Sequence, residues 1–357
     1  MHGDEVPLHF YADLFLKHPE TRNMFPVSMA AQRGHLVDAL VKIVANVDRL
    51  DELTLFLREL GRDHRKFGAL AGHYGAVGAS LLATFEYFSG DAWTPELAAD
   101  WTSAYELTAS VMIDAAQEDE KHSPAFWTGT IVSLERKAFD VTVLTVRTNP
   151  RLEYLPGQSV AVQSARRPGL WRYYSIANAP RPDGLVEFHV RLIDGGAVSM
   201  ALTAGSAVGD PLRLGPPVGV LRLHTASRRD VLLVAGSTGL APLKAILEQI
   251  ASLHVPPQVH LFFGAREAAG LYDLPALDKL AAQNPWLTVI PAVSADRFYA
   301  GETGSLADVV MRKGTWTGHD VYVAGPSEMV QEMAARLASA GTPPDQVHLE
   351  DFGWRDR

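Results

Sequence analysis

Apolar residues change period twice along this chain, and each change restricts the fold that can follow. Before residue 123 they recur three or four apart, in Leu36, Val37, Leu40, Val41, Val44 and Val47, in Leu53, Phe56, Leu57 and Leu60, and in Val77, Leu81, Leu82, Phe85 and Phe88. That interval lines one face of a helix. Thr94-Pro95-Glu96 supplies a hydroxyl cap and a first-turn proline for a longer helix through Leu97, Trp101, Tyr105 and Met112. From Thr130 the period falls to two. Thr130, Val132 and Leu134, then Val141, Val143 and Thr145, then Val186, Phe188, Val190 and Leu192 alternate with their neighbours, as half-buried strands do. Pro156-Gly157 and Asp183-Gly184 provide turns between them. From Val231 an apolar run to Ala235 meets a glycine turn, a helix around Leu243 to Ile250 and a strand from Val259 to Phe263, the rhythm of βαβ units on a parallel sheet. The expected fold is multidomain: all-α over 1–122, an antiparallel β-barrel over 123–226 and an α/β parallel-sheet domain over 227–357. The charged, proline-ended stretch Glu118 to Pro124 reads as the first linker.

Length and charge are consistent with this division. A chain of 357 residues is long enough for two or three cores. A net charge of −9, with no clustered stripe of Lys and Arg, argues against a nucleic-acid or anionic-membrane surface. The absence of cysteine removes disulfides, thiolate zinc sites and cysteine-held iron–sulfur clusters. No run reaches the roughly 18 apolar residues of a membrane span, and Met1-His2-Gly3-Asp4-Glu5 lacks the parts of a signal peptide. The expectation is a cytoplasmic enzyme acting on small molecules.

Chemistry concentrates in short segments of fixed order. Arg172-Tyr173-Tyr174-Ser175 precedes Gly195-Gly196-Ala197-Val198-Ser199, which precedes Gly236-Ser237-Thr238-Gly239; Glu350 and Phe352 stand near the end. The set resembles the ferredoxin-NADP⁺-reductase family, which implies FAD reduced by NAD(P)H. Arg172 offers a planar fork of donors for a phosphate, Tyr174 a flat face for the flavin ring and Ser175 a hydroxyl for a ring nitrogen. Arg172 and Tyr174 share one face of a strand and Ser175 takes the other, so the backbone must bend for all three to meet one flavin. Gly195 and Gly196 let backbone approach a pyrophosphate ahead of a helix start at Val198 and Ser199. Gly236 to Gly239 does the same for a dinucleotide, with Thr238 near the nicotinamide. Arg266, Gly325 and Pro326 follow later strands, at the ends where open α/β sheets bind ligands. In the family a terminal aromatic, here Phe352, covers the flavin ring; Asp351 stands where members often have cysteine.

The helical third carries its own pattern. His64-Arg65-Lys66-Phe67 leads to Tyr74-Gly75-Ala76-Val77-Gly78; Leu8 to Phe15 contains Tyr11, and Phe25 follows. These segments resemble the proximal and distal sides of bacterial flavohaemoglobins, whose domain order is also that of this chain. The resemblance implies haem b, with His64 as iron ligand and Tyr74 and Glu118 behind it. The same Glu118 also reads as part of the solvated linker. Tyr11 would be the distal hydrogen-bond donor and Phe25 the haem-packing aromatic. Leu36 aligns with the family's distal glutamine, with Gln32 or His35 available under other alignments. Only ten residues precede Tyr11, fewer than the first globin helix needs. The implied activity is a nitric oxide dioxygenase, with O2, NO and NAD(P)H as its small-molecule partners. The alternatives are an NAD(P)H-dependent flavin reductase with a degenerate globin, and a haem-based gas sensor.

Overall fold

The structure, a computed structural model, describes residues 5–350 and divides into two compact units, the first running to Phe126 and including Pro168–Leu170, the second taking Trp127–Arg167 and the described residues from Trp171 on. The expected cover residue Phe352 lies outside the described residues.

The first unit is helical: α1 (Glu5–Lys17), a 3₁₀ turn over Pro19–Met24, α2 (Ala30–Ala45), α3 (Leu50–His64), α4 (Ala71–Ser89) and α5 (Pro95–Glu120). Its centre is Phe10, Tyr11, Leu14 and Leu81, with Phe25, Leu36, Leu40, Val77 and Phe85 against them. Leu14 is fully buried, so truncating it to alanine would cost about 2–5 kcal/mol. Thr94 caps α5 as its sequence suggests, its hydroxyl accepting from the Leu97 N–H at 3.2 Å. A Cβ built on Gly61 would overlap the Met112 backbone, so glycine there lets α3 lie directly on α5. One expectation is corrected. Glu118, Asp119 and Glu120 are the last turn of α5 rather than linker. Acidic side chains oppose the dipole at a helix C-terminus, but Asp119 is paired with Arg65, and Glu118 with Lys121 at 2.6 Å. These pairings let the helix run on to Glu120.

The second unit starts with six antiparallel strands, β1 (Trp127–Arg136), β2 (Val141–Asn149), β3 (Ser159–Ser164), β4 (Arg172–Ser175), β5 (Leu185–Arg191) and β6 (Pro211–Leu214), with α6 (Ala197–Thr203) between the last two. Their order is β4-β3-β6-β1-β2-β5. An isolated bridge from Ile176 to Phe188 links the end of β4 to β5 and nearly closes a barrel. Leu144, Val162, Phe188, Val190, Leu202 and Leu212 fill it, joined by Tyr174.

A parallel-sheet lobe follows: β7 (Asp230–Gly236), α7 (Leu240–Ala251), β8 (Val259–Ala265), α8 (Leu274–Gln283), β9 (Leu287–Val293), β10 (Glu302–Thr303), α9 (Leu306–Lys313), β11 (His319–Ala324), α10 (Ser327–Ser339) and β12 (Val347–Glu350). Strand order is β10-β9-β8-β7-β11-β12. Alternate residues of β7 serve two cores. Val231, Leu233 and Ala235 pack with α7 and α8; Leu232 and Val234 pack with α9 and α10. Burial on both faces is why the strand reads as one continuous apolar run. The chain proceeds one way from β7 through β8 and β9, then returns to β11 on the other side of β7. The carboxyl end of β7 is therefore a topological switch point, where open α/β sheets hold ligands.

Candidate functional site

Two regions gather the residues singled out in the sequence. In the helical unit, His64 closes α3 and its Nδ1 lies 2.7 Å from the Leu60 carbonyl oxygen. A carbonyl only accepts, so Nδ1 carries the proton and Nε2 keeps its lone pair. Burial pushes the His64 pKa down, with Lys66 adding to it against Asp63 and the Leu60 bond. The ring is thus a neutral imidazole with a bare nitrogen, the form that binds a metal ion. Tyr74, in the first turn of α4, has a buried hydroxyl without a hydrogen-bond partner among the described residues, and burial raises its pKa. Its carbonyl accepts from the Tyr105 hydroxyl at 2.5 Å. The expected His64–Tyr74–Glu118 network is not formed. Glu118 is half exposed and engaged by Lys121 and His122, because its position in the last turn of α5 turns it to these neighbouring side chains.

Tyr11 is 6% exposed and ringed by Phe10, Phe15 and Phe25 at 4.8–5.8 Å between centroids. Burial pushes its pKa up to about 12. Its hydroxyl reaches the Gln32 carbonyl at 3.4 Å, beyond the usual range for a hydroxyl donor. Leu36 packs against the same cluster. Tyr11, Phe25 and Leu36 are therefore brought together around one weakly held donor.

In the second unit, β4 pairs with β3, placing Ser175 opposite Ser159 and Arg172 opposite Val162. The Arg172 guanidinium donates to the Trp171 carbonyl at 2.9 Å, and no carboxylate pairs with it among the described residues. Tyr174 borders the barrel interior. The Ser175 hydroxyl donates to Glu350 at 3.1 and 3.3 Å, both groups buried, so the end of β12 meets the end of β4. Gly195 has φ +71 and nothing within 4 Å of where a Cβ would be. This is left-handed backbone with open space above it, suited to a bulky anion. The Ser199 hydroxyl accepts from the Ile193 N–H at 3.1 Å and donates to the Gly196 carbonyl at 3.0 Å. It braces the Gly195–Gly196 turn from within.

Ser237 to Gly239 form a 3₁₀ turn at the carboxyl end of β7. Ser237 is left-handed at φ 54, a conformation that costs a non-glycine residue roughly 1–2 kcal/mol. The hydroxyl is held by Arg191 at 3.2 Å, and Arg191 is itself anchored by Asp140 at 2.7 Å. A Cβ on Gly239 would overlap the Ala324 carbonyl. Glycine is therefore required here by close packing of the turn on β11, a reason the sequence did not reveal, and a valine at this position would break that junction with or without a ligand. Gly325 and Pro326 follow β11 beside the turn, and Arg266 lies exposed just past β8.

Comparison with known proteins decides among fold families at this point. The globin family profile matches residues 8–112, the oxidoreductase FAD-binding domain 129–223 and the oxidoreductase NAD-binding domain 233–335. The flavohemoprotein of Bacillus subtilis (strain 168) is 24% identical over 378 residues, covering 99% of this chain and 93% of that protein. The chain belongs to the flavohaemoglobin family. The chain is also 30% identical over 250 residues to the ferredoxin–NAD(P)⁺ reductase component of the naphthalene 1,2-dioxygenase system of Pseudomonas putida, covering 69% of this chain and 75% of that one. A crystal structure of flavohemoglobin from Malassezia yamatoensis with bound FAD and heme superposes with a TM-score of 0.81 at 18% identity, over 99% of this chain and 95% of that one. Residues 8–112 are thus a globin, and the barrel and parallel-sheet lobe are an FAD- and NAD-binding oxidoreductase. The chain is an NAD(P)H-dependent oxidoreductase. No helix among its described residues is long and apolar enough to cross a membrane.

Proposed function

We propose that the chain is a nitric oxide dioxygenase, converting nitric oxide and oxygen to nitrate with electrons from NAD(P)H. The observation that carries this reading is the Tyr11 hydroxyl, a donor buried in an apolar cage whose 3.4 Å contact with Gln32 leaves it available to a small ligand. A pKa near 12 keeps its proton in place at neutral pH. His64 would hold the haem iron through Nε2, since Nδ1 is committed to Leu60, while Phe25 and Leu36 wall the Tyr11 cluster. Bound haem and FAD supply oxygen activation and the division of a hydride into single electrons.

On the reductase side Arg172 would clamp the FAD pyrophosphate, with room for it above Gly195. Tyr173 and Tyr174, on opposite faces of β4, are the candidate residues for contact with the ring. Ser175, whose hydroxyl donates to Glu350, would stand at the flavin edge. Ser237, Thr238, Gly239, Arg266, Gly325 and Pro326 frame the dinucleotide at the switch point.

Two measurements test these assignments. Arg172→Ala removes a charge-assisted phosphate contact worth about 1.5–3 kcal/mol, so FAD affinity is expected to fall roughly tenfold to a hundredfold. Unchanged flavin retention through dialysis would place the pyrophosphate elsewhere. The intact protein supplied with NADH is expected to consume nitric oxide in air and yield nitrate. In Tyr11→Phe the loss of one neutral hydrogen bond is expected to raise the apparent KM for oxygen roughly twofold to tenfold. Haem-loaded protein that consumes no nitric oxide would favour a gas sensor. Protein that takes up flavin but no supplied haem would favour a flavin reductase serving another acceptor.

A further inference from the structure

Three ligand-type side chains meet towards the amino ends of β11 and β12, the end opposite the glycine turns. His224 lies in the segment joining the barrel to the parallel-sheet lobe, Asp320 is the second residue of β11 and His348 the second of β12. One nitrogen from each ring and one carboxylate oxygen all lie within 4.8 Å of one another. Strand register produces the meeting. His348 stands opposite Tyr322 in the parallel pairing, and the two-residue alternation places Asp320 on the same face. The Tyr322 hydroxyl accepts from the His224 N–H at 2.9 Å, which draws the connecting segment across that face. The His348 ring stacks on Tyr322 at 4.8 Å and lies 4.3 Å from the His224 ring.

Two observations distinguish this group from a chance assembly of polar residues. The Nε2 of His348 is buried and has no hydrogen-bond partner among the described residues, a state that costs about 1–3 kcal/mol unless a ligand relieves it. Asp320 is 2% exposed and engaged through Oδ1 by Arg229 at 3.0 Å, which orients the carboxylate from outside as an outer partner does at a metal site.

We infer that His224, Asp320 and His348 form a binding site for a transition-metal dication of the zinc class. Two imidazoles and a carboxylate are the donor set that zinc, nickel and copper(II) prefer, and three protein ligands leave a fourth position to water. Metal–ligand bonds of about 2.0–2.1 Å put tetrahedral ligand atoms roughly 3.3–3.5 Å apart. Closing from 4.8 Å falls to His224, the exposed member, because Asp320 and His348 sit on paired strands. A bound ion would tie the connecting segment to β11 and β12, two residues before the Glu350 carboxylate that Ser175 engages. The site thus stiffens the strand that presents Glu350.

The test uses the full chain loaded with FAD and haem, freed of adventitious metal by chelator and titrated with zinc sulfate by calorimetry. Wild type is expected to show a saturable site with a stoichiometry of about one. His224→Gln and His348→Gln are each expected to weaken it at least about tenfold, while His254→Gln, an exposed histidine elsewhere, leaves it unchanged. Zinc is expected to raise the melting temperature read by flavin fluorescence in wild type and not in His224→Gln. His224 is exposed, so that variant keeps its fold even if the His348 variant does not. Equal zinc uptake by wild type and His224→Gln, or no saturable binding at all, would overturn the assignment.

Discussion

His64→Ala protein is expected to purify with FAD and without haem absorption, and to reduce ferricyanide with NADH at close to the wild-type rate. The first half rests on a committed tautomer. Nδ1 donates to the Leu60 carbonyl, burial keeps the ring neutral, and Nε2 is the nitrogen left to bind iron. Disturbing only the outer partner of a metal-bound histidine typically costs 10–100-fold in affinity, so removal of the ligand itself should exceed that range. The second half rests on the division of the chain into two compact units with separate cores. Absorption spectroscopy after supplying haem reads the first, and ferricyanide reduction the second. Imidazole added to the variant is expected to restore part of the haem band by filling the vacated position. A haem spectrum and stoichiometry equal to wild type would move the iron ligand to another histidine. Loss of ferricyanide reduction together with haem would mean that the reductase depends on an intact globin.

The parts of this molecule that could be read in its sequence are those encoded over a few neighbouring residues. Period three to four produced the helices, although Val41, Val44 and Val47 of its first set are exposed, while period two gave the barrel strands and Val231 to Ala235 a doubly covered parallel strand, because those patterns record which faces are buried. Thr94 was legible for the same reason, since a cap acts three residues away. What escaped depends on partners remote in the chain. Glu118 to Glu120 looked like linker because nothing local announces that Arg65, 54 positions earlier, neutralises Asp119. The expected Glu118 network failed on the same ground, since Lys121 and His122 are nearer than His64. Gly239 looked like a ligand-approach glycine, and its contact with Ala324 appears only when β7 and β11 are side by side. The Ser175–Glu350 bond joins residues 175 positions apart, and both had been singled out without any means of pairing them. Arg191, which holds the strained Ser237, carried no signal at all.

Lys244→Met is expected to destabilise the reductase unit by about 3–5 kcal/mol, the usual effect of removing one partner from a buried ion pair. Lys244 on α7 reaches Glu187 on β5 at 2.7 Å, and lies 3.3 Å from Asp273 without hydrogen-bond alignment. His189 adds a 3.1 Å contact to Glu187 and a 2.7 Å contact to the Tyr272 hydroxyl. The group therefore pins the barrel to the parallel-sheet lobe within one unit. Burial alone would raise the Glu187 pKa, but His189 and Lys244 outweigh it and hold it at about 2. A carboxylate depressed from 4.5 to about 2 contributes about 3 kcal/mol of stability, present above pH 4.5 and lost as pH falls towards 2. His189, pushed below its ordinary value mainly by burial, acts in the same direction, since its folded-state preference for the neutral ring is lost under acid. Without Lys244 the Glu187 carboxyl holds its proton to higher pH, so variant and wild type converge as the pH is lowered. Urea unfolding followed by flavin fluorescence should thus show the full difference at pH 7 and a smaller one at pH 4. Adding Glu187→Gln to Lys244→Met should recover much of the loss by removing the unpaired charge. A loss under about 1 kcal/mol, or a gap independent of pH, would show that solvent rather than Lys244 compensates Glu187.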